Sequence, residues 1–173
     1  MFATTHVLAS VVISQYSPNA WIAFFISLFS HYLLDLIPHG DRLVERWIKS
    51  GNYFKKSVII FLSDIALIAI FFITFYHQIS LPSLKILVAA IIGGLLPDVL
   101  RVTQDLNERY LYKITVFHQV FTMTRLDKIL AYHKRMHDYI DYVFNKTITP
   151  NGIGVVIQAL FLGIFLILAL YPG

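Results

Sequence analysis

The chain has no cysteine, and only 14% of its residues are charged. The first absence excludes a disulfide framework and any thiolate metal site, so a bound metal must be held by imidazole, carboxylate or water. The second sets the chain apart from ordinary soluble proteins, in which about a quarter of residues carry charge. No stretch is of low complexity, and no linker is long enough to divide domains. The start also lacks the basic residues and small-residue cleavage site of a secretory signal, so the N-terminal segment is expected to be retained.

Apolar sequence fills the space these absences leave. Hydrophobic residues make up 57% of the 173 positions, and mean hydropathy is +0.68. The length suits one domain, and the composition predicts an all-α, polytopic membrane bundle of about five apolar helices with amphipathic helices on the cytoplasmic side. Residues 1–173 are read as a single integral membrane domain, with 103–149 as a cytoplasmic-side helical insertion.

The apolar segments run from about Phe2 to Tyr16, to Ile37 after Pro18, from Ser57 to Tyr76, from Pro82 or Ser83 to Val102, and to Tyr171 after Thr149-Pro150-Asn151-Gly152. The first is short for a bilayer that needs about 20 helical residues, so it either crosses with its partners' help or is re-entrant. Ser17 is placed to cap a helix whose first residue is Pro18.

Five of the fourteen Lys and Arg lie between Arg42 and Lys56, eight between Arg101 and Lys146, and Lys85 stands alone. The positive-inside rule then puts both basic segments in the cytoplasm and, with five crossings, the C-terminus outside. A net charge of +4 that serves to orient spans gives no reason to expect a nucleic-acid partner.

On this topology all ten acidic residues and six of the seven histidines collect at the cytoplasmic side, His77 being the exception. Ionisable groups inside apolar helices are expensive and mark sites, and His31, Asp35, Asp64 and Asp98 are such groups. In Ser30-His31-Tyr32-Leu33-Leu34-Asp35 the spacing of four puts His31 and Asp35 on one face, one turn apart. They can chelate one ion, or the carboxylate can orient the imidazole; a plain hydrogen bond at a helix end accounts for the pair as well. Leu126, Leu130, His133, His137, Ile140 and Phe144 recur at spacings of three and four, predicting an amphipathic helix that opens with a Thr124–Asp127 capping box. Its two imidazoles face inward as ligands, or are tolerated in an interfacial helix.

His118 and the turn Pro38-His39-Gly40-Asp41 add weaker candidates, the turn being explained equally by a helix stop. Gly93-Gly94 permits close helix packing, and Pro97 loosens the backbone ladder around Asp98, which either faces a cavity or pairs with Arg101. Asp64 has no cation in its own helix, so its partner must come from elsewhere.

Thr5-His6, the Ser30-His31-x-x-x-Asp35 helix ending in Pro38 and Gly40, and Leu96-Pro97-Asp98 resemble the motifs of the YdjM-like membrane-bound metal-dependent hydrolases. That family is in turn similar to zinc-dependent phospholipase C in its helical His and Asp ligands. The order of the two Asp motifs is reversed here, and no His-Arg-Gly-x-Thr-His segment follows. The resemblance implies ligand roles for His6, His31, Asp35 and Asp98.

The expected function is hydrolysis of a phosphoester, with a lipid among the candidate substrates, at the cytoplasmic boundary of the plasma membrane. Metal ligands are drawn from His6, His31, Asp35, His118, His133 and His137, with Asp64 and Asp98 as catalytic carboxylates. A divalent ion is the expected cofactor, and mixed His and carboxylate ligands suit zinc. A membrane anchor or assembly protein, or a small cation or proton transporter, would use the same residue types.

Overall fold

The computed structural model describes residues 2–37, 46–48, 50–75, 77–109, 125–147 and 151–172. His39, Asp41, His118 and Thr124 lie outside them. The described residues form α1 (Ala3–Tyr16), α2 (Ala20–Asp35), α3 (Tyr53–Phe75), α4 (Leu84–Arg109), α5 (Leu126–Thr147) and α6 (Asn151–Leu170), with a helical turn at Arg46–Ile48 and no strand.

Among the described residues, three helices are long and apolar enough to cross a bilayer: Phe54–Phe75, Leu84–Asp105 and Ile153–Leu170. The expected count of about five is not confirmed: α2 is a shorter apolar helix of 16 residues and α1 has only 14. Polarity is distributed inside out. Ile59, Phe61, Leu62, Ile70 and Ile73 of α3 and Val156, Leu160 and Ile167 of α6 are exposed, while Thr5, His6, Ser10, Ser14, Ser27, His31 and Asp35 are buried. Apolar exposure on this scale suits lipid, not water.

α1 packs on α2, α3, α4 and α6 and is buried from Thr4 to Val11 without interruption. A helix enclosed all round has no apolar stripe to display, and its small Thr, Ala and Ser side chains let neighbours approach. Gly93 and Gly94 of α4 exploit this: a Cβ on Gly93 would strike the Phe24 carbonyl of α2, and one on Gly94 would strike Ser10 Oγ of α1.

Helix ends differ from expectation where local chemistry competes. Asn19, not Ser17, caps α2, its side chain accepting from the Ile22 amide at 3.0 Å. Ser17 instead donates back to the Ile13 carbonyl at 2.7 Å. α3 starts four residues before Ser57, and α4 continues through Pro97 to Arg109, seven beyond Val102.

The helices alternate in direction. Gln15 Nε2 donates to the Ala169 carbonyl at 2.8 Å, and Leu8, Val11, Phe71, Ile79, Leu87 and Ala169 share one core cluster. The C-terminal ends of α1, α3 and α6 therefore meet the start of α4 at one end of the bundle. At the other, α1 begins beside Asp64, halfway along α3, whose carboxylate accepts from Thr4 Oγ1 at 2.6 Å and from the Ala3 and Thr4 amides at 3.4 and 3.3 Å. The first turn of α1 thus starts inside the bundle.

Candidate metal centre

The start of α1, the last two turns of α2, the C-terminal half of α4 and the middle of α5 deliver His6, His31, Asp35, Asp98 and His137 to one point. His31 and Asp35 meet as their spacing of four predicts, Nε2 lying 3.1 Å from Asp35 Oδ2. His137 Nε2 is also 3.1 Å from that oxygen, and the two Nε2 atoms are 3.5 Å apart. His6 stacks on His31 with ring centroids at 3.9 Å and brings its Nε2 to 3.3 Å from Asp35 Oδ1. All four side chains are buried. Asp98 is the accessible member, 30% exposed, with Oδ1 at 3.9 Å from His31 Nε2 and 3.8 Å from His137 Nε2.

Proton bookkeeping sharpens this geometry. His31 Nδ1 lies 2.7 Å from the Gly94 carbonyl. A carbonyl only accepts, so Nδ1 carries the hydrogen, and in the neutral ring Nε2 presents its lone pair to Asp35. Two acceptors at 3.1 Å repel unless a cation, either a proton or a metal ion, lies between them. Donation of the remote ring nitrogen to a backbone carbonyl is how metal-bound imidazoles are commonly oriented.

The distances would accommodate a small divalent ion. Four ligands at about 2.0–2.2 Å in a tetrahedron lie about 3.4 Å from one another. The triangle of His31 Nε2, His137 Nε2 and Asp35 Oδ2 has edges of 3.1, 3.1 and 3.5 Å. Among the described residues, two groups of ligand atoms converge closely enough to share an ion: His31 with Asp35 and His137, and His6 with His31 and Asp98. Both need His31 Nε2, the one nitrogen left after the bond to Gly94, so they are alternatives around a single ion. No protein-family model, curated protein or solved structure matches this chain. The centre stands on its geometry.

The other expected residues go elsewhere. Neither group includes His133 or Asp64. His133 Nε2 donates to the Pro97 carbonyl at 2.9 Å, which leaves Nδ1 to accept from the Tyr32 hydroxyl at 3.3 Å. Both nitrogens are engaged, and the ring clips α5 to α4 at Pro97. Burial pushes its pKa down. Asp64 is occupied with the first turn of α1.

Three contributors carry weaker sequence signals. Pro97, lacking an N–H, frees the Gly93 carbonyl by the i→i−4 pattern and so does not single out the Gly94 carbonyl that meets His31. Tyr32 has no signal beyond adjacency to His31. Arg101, three residues after Asp98, reaches Asp138 of α5 with Nη2 at 3.2 Å and His137 Nδ1 with Nη1 at 3.4 Å.

Proposed function

We propose that the chain is an integral membrane protein that holds one divalent ion, zinc by its ligand chemistry, and hydrolyses a phosphoester at the cytoplasmic boundary. The observation that carries this reading is the buried triangle of His31, His137 and Asp35, assembled from two sequence-distant helices with tetrahedral edge lengths. The ion would supply Lewis acidity, acidifying water and offsetting charge on a phosphoryl oxygen. His31, Asp35 and His137 hold it, and His6 backs the set from α1. Asp98, at the exposed mouth, is positioned to take a proton from attacking water. Arg101 adds fixed positive charge where an anionic substrate would approach. The resemblance to YdjM-like hydrolases points the same way through His6, His31, Asp35 and Asp98.

One contact favours a different reading. A guanidinium only donates, so Arg101 beside His137 Nδ1 makes that nitrogen the acceptor and leaves the proton on Nε2, aimed at Asp35. On that account the cluster is a hydrogen-bonded lock within an anchor or assembly protein.

Elemental analysis of the purified full chain separates the two. The hydrolase reading expects a single ion per chain in the wild type, loss of it in His31→Ala and His137→Ala, and retention in His133→Gln, with phosphoester hydrolysis following the metal. Correctly folded wild type that stays metal-free after incubation with zinc would sink it.

A further inference from the structure

The outward edge of α5 is unused by the metal centre. At about 100° per residue, Leu130, His133 and His137 occupy the buried sector of this helix. On one side of it Lys134 bonds Asp105 at 2.7 Å and Asp138 bonds Arg101, tying α5 to α4. On the other side lie Ile129 and half-buried Met136, then Tyr132 and Tyr139, and last the exposed Lys128 and Arg135. Ile129, Tyr132 and Tyr139 are 60%, 72% and 67% exposed. Across the helix surface the order is therefore aliphatic, phenolic, cationic.

Depth along α4 says what meets that edge. From Leu84, at the far end, to Asp105 is about 32 Å at ~1.5 Å per residue, close to the ~30 Å of a hydrocarbon core. The Lys134–Asp105 pair thus sits at the near boundary, and the neighbouring turns of α5 sit at headgroup depth. Aromatic residues mark both boundaries, as interfacial Trp and Tyr do. Exposed Tyr16, Trp21 and Tyr171 gather at the far end, and Trp47 lies under Lys56 in the first turn of α3 at the near one.

We propose that the Ile129–Tyr132–Tyr139 edge of α5, with Lys128 and Arg135, is a membrane-contact surface seated in the headgroup layer of anionic phospholipid. The aliphatic side meets the upper acyl chains, the tyrosines span the ester level, and the two cations meet lipid phosphate. This surface does not depend on the metal reading: Asp98, seven residues before Asp105 on α4, lies about 10 Å deeper at ~1.5 Å per residue.

The absence of cysteine makes a direct test simple. Tyr132→Cys and Tyr139→Cys are spin-labelled in the full chain, reconstituted in vesicles of phosphatidylcholine with or without phosphatidylglycerol. Ile70→Cys serves as the lipid-core reference and Asn52→Cys as the exposed-loop reference. The expected result is accessibility to oxygen and to an aqueous nickel relaxant intermediate between the references. Phosphatidylglycerol should cut the aqueous accessibility several-fold, and Lys128→Gln/Arg135→Gln should abolish that effect. Aqueous accessibility equal to Asn52 in both lipids, or a response to phosphatidylglycerol that the double variant leaves intact, overturns the proposal. Protection from both relaxants also overturns it, because a protein partner would then cover the edge. Metal content of the same samples reports separately on the centre.

Discussion

A carboxylate inside an apolar helix must be satisfied by something, and Asp64 meets the first-turn amides of another helix. α1 has no side-chain cap of its own. Its start lies at the depth of Asp64, about 12 Å below Lys56 along α3 at ~1.5 Å per residue, where water does not replace a missing acceptor. Asp64→Ala is expected to cost about 1–2 kcal/mol, in the range of lost helix caps, and Asp64→Asn less, with metal content unchanged. Thermal unfolding of the detergent-solubilised chain reads this. A Asp64→Asn protein of wild-type stability that lacks hydrolysis would instead restore Asp64 to the chemistry.

Histidine protonation gives a second residue-scale expectation. Burial lowers the pKa of His133 below the unbound value of about 6.5, so below that pH the unfolded chain takes up a proton that the folded chain refuses. Stability of the metal-free protein falls as pH drops through about 6.5 and is unaffected by this group above it. The His133 share of that slope disappears in His133→Gln. On the proposed metal reading, zinc affinity weakens as pH falls because protons compete for the ligand nitrogens.

Among elements, the crossing of α4 with α1 and α2 depends on two absent side chains. The obstruction at Gly93 is backbone, the Phe24 carbonyl, whereas at Gly94 it is the movable end of Ser10. Gly93→Ala and Gly94→Ala are each expected to destabilise by about 1–3 kcal/mol, as overpacking does. Ser10→Ala should rescue only the second. Equal rescue of both, read from unfolding midpoints, would contradict this packing.

Local patterns in the sequence predicted what local geometry controls. The i,i+4 relation of His31 and Asp35, the inward stripe of Leu130, His133 and His137, and the Gly93–Gly94 contact all follow from helical periodicity. Periodicity puts His133 and His137 on the same face but does not say which carbonyl or carboxylate stands opposite each. One meets Pro97 and the other Asp35. The partners of Asp64 and His6 lie about 60 and 29 residues away along the chain, and only tertiary packing selects them. Apolar run length undervalues α1, a short helix with Thr, His and Ser that packs on four others.

At the scale of the whole molecule, alternating helix directions leave the starts of α1, α3 and α6 and the ends of α2 and α4 at one end, and the end of α6 at the other. On the proposed orientation, which follows the charge asymmetry, the first end is cytoplasmic. An impermeant thiol reagent applied to sealed right-side-out cells should therefore label Pro172→Cys and spare Asn52→Cys until the membrane is opened. The reverse pattern would invert the molecule and turn the Asp98 mouth outward.

Linking α1 to a carboxylate 60 positions downstream also constrains biogenesis. The ribosome makes α1 first, yet its opening amides find their acceptor only once α3 has been synthesised and has joined it. The segment bearing His6 thus emerges before α3 and settles only after it. Until then it needs the translocon, an insertase or interfacial water to satisfy its exposed end.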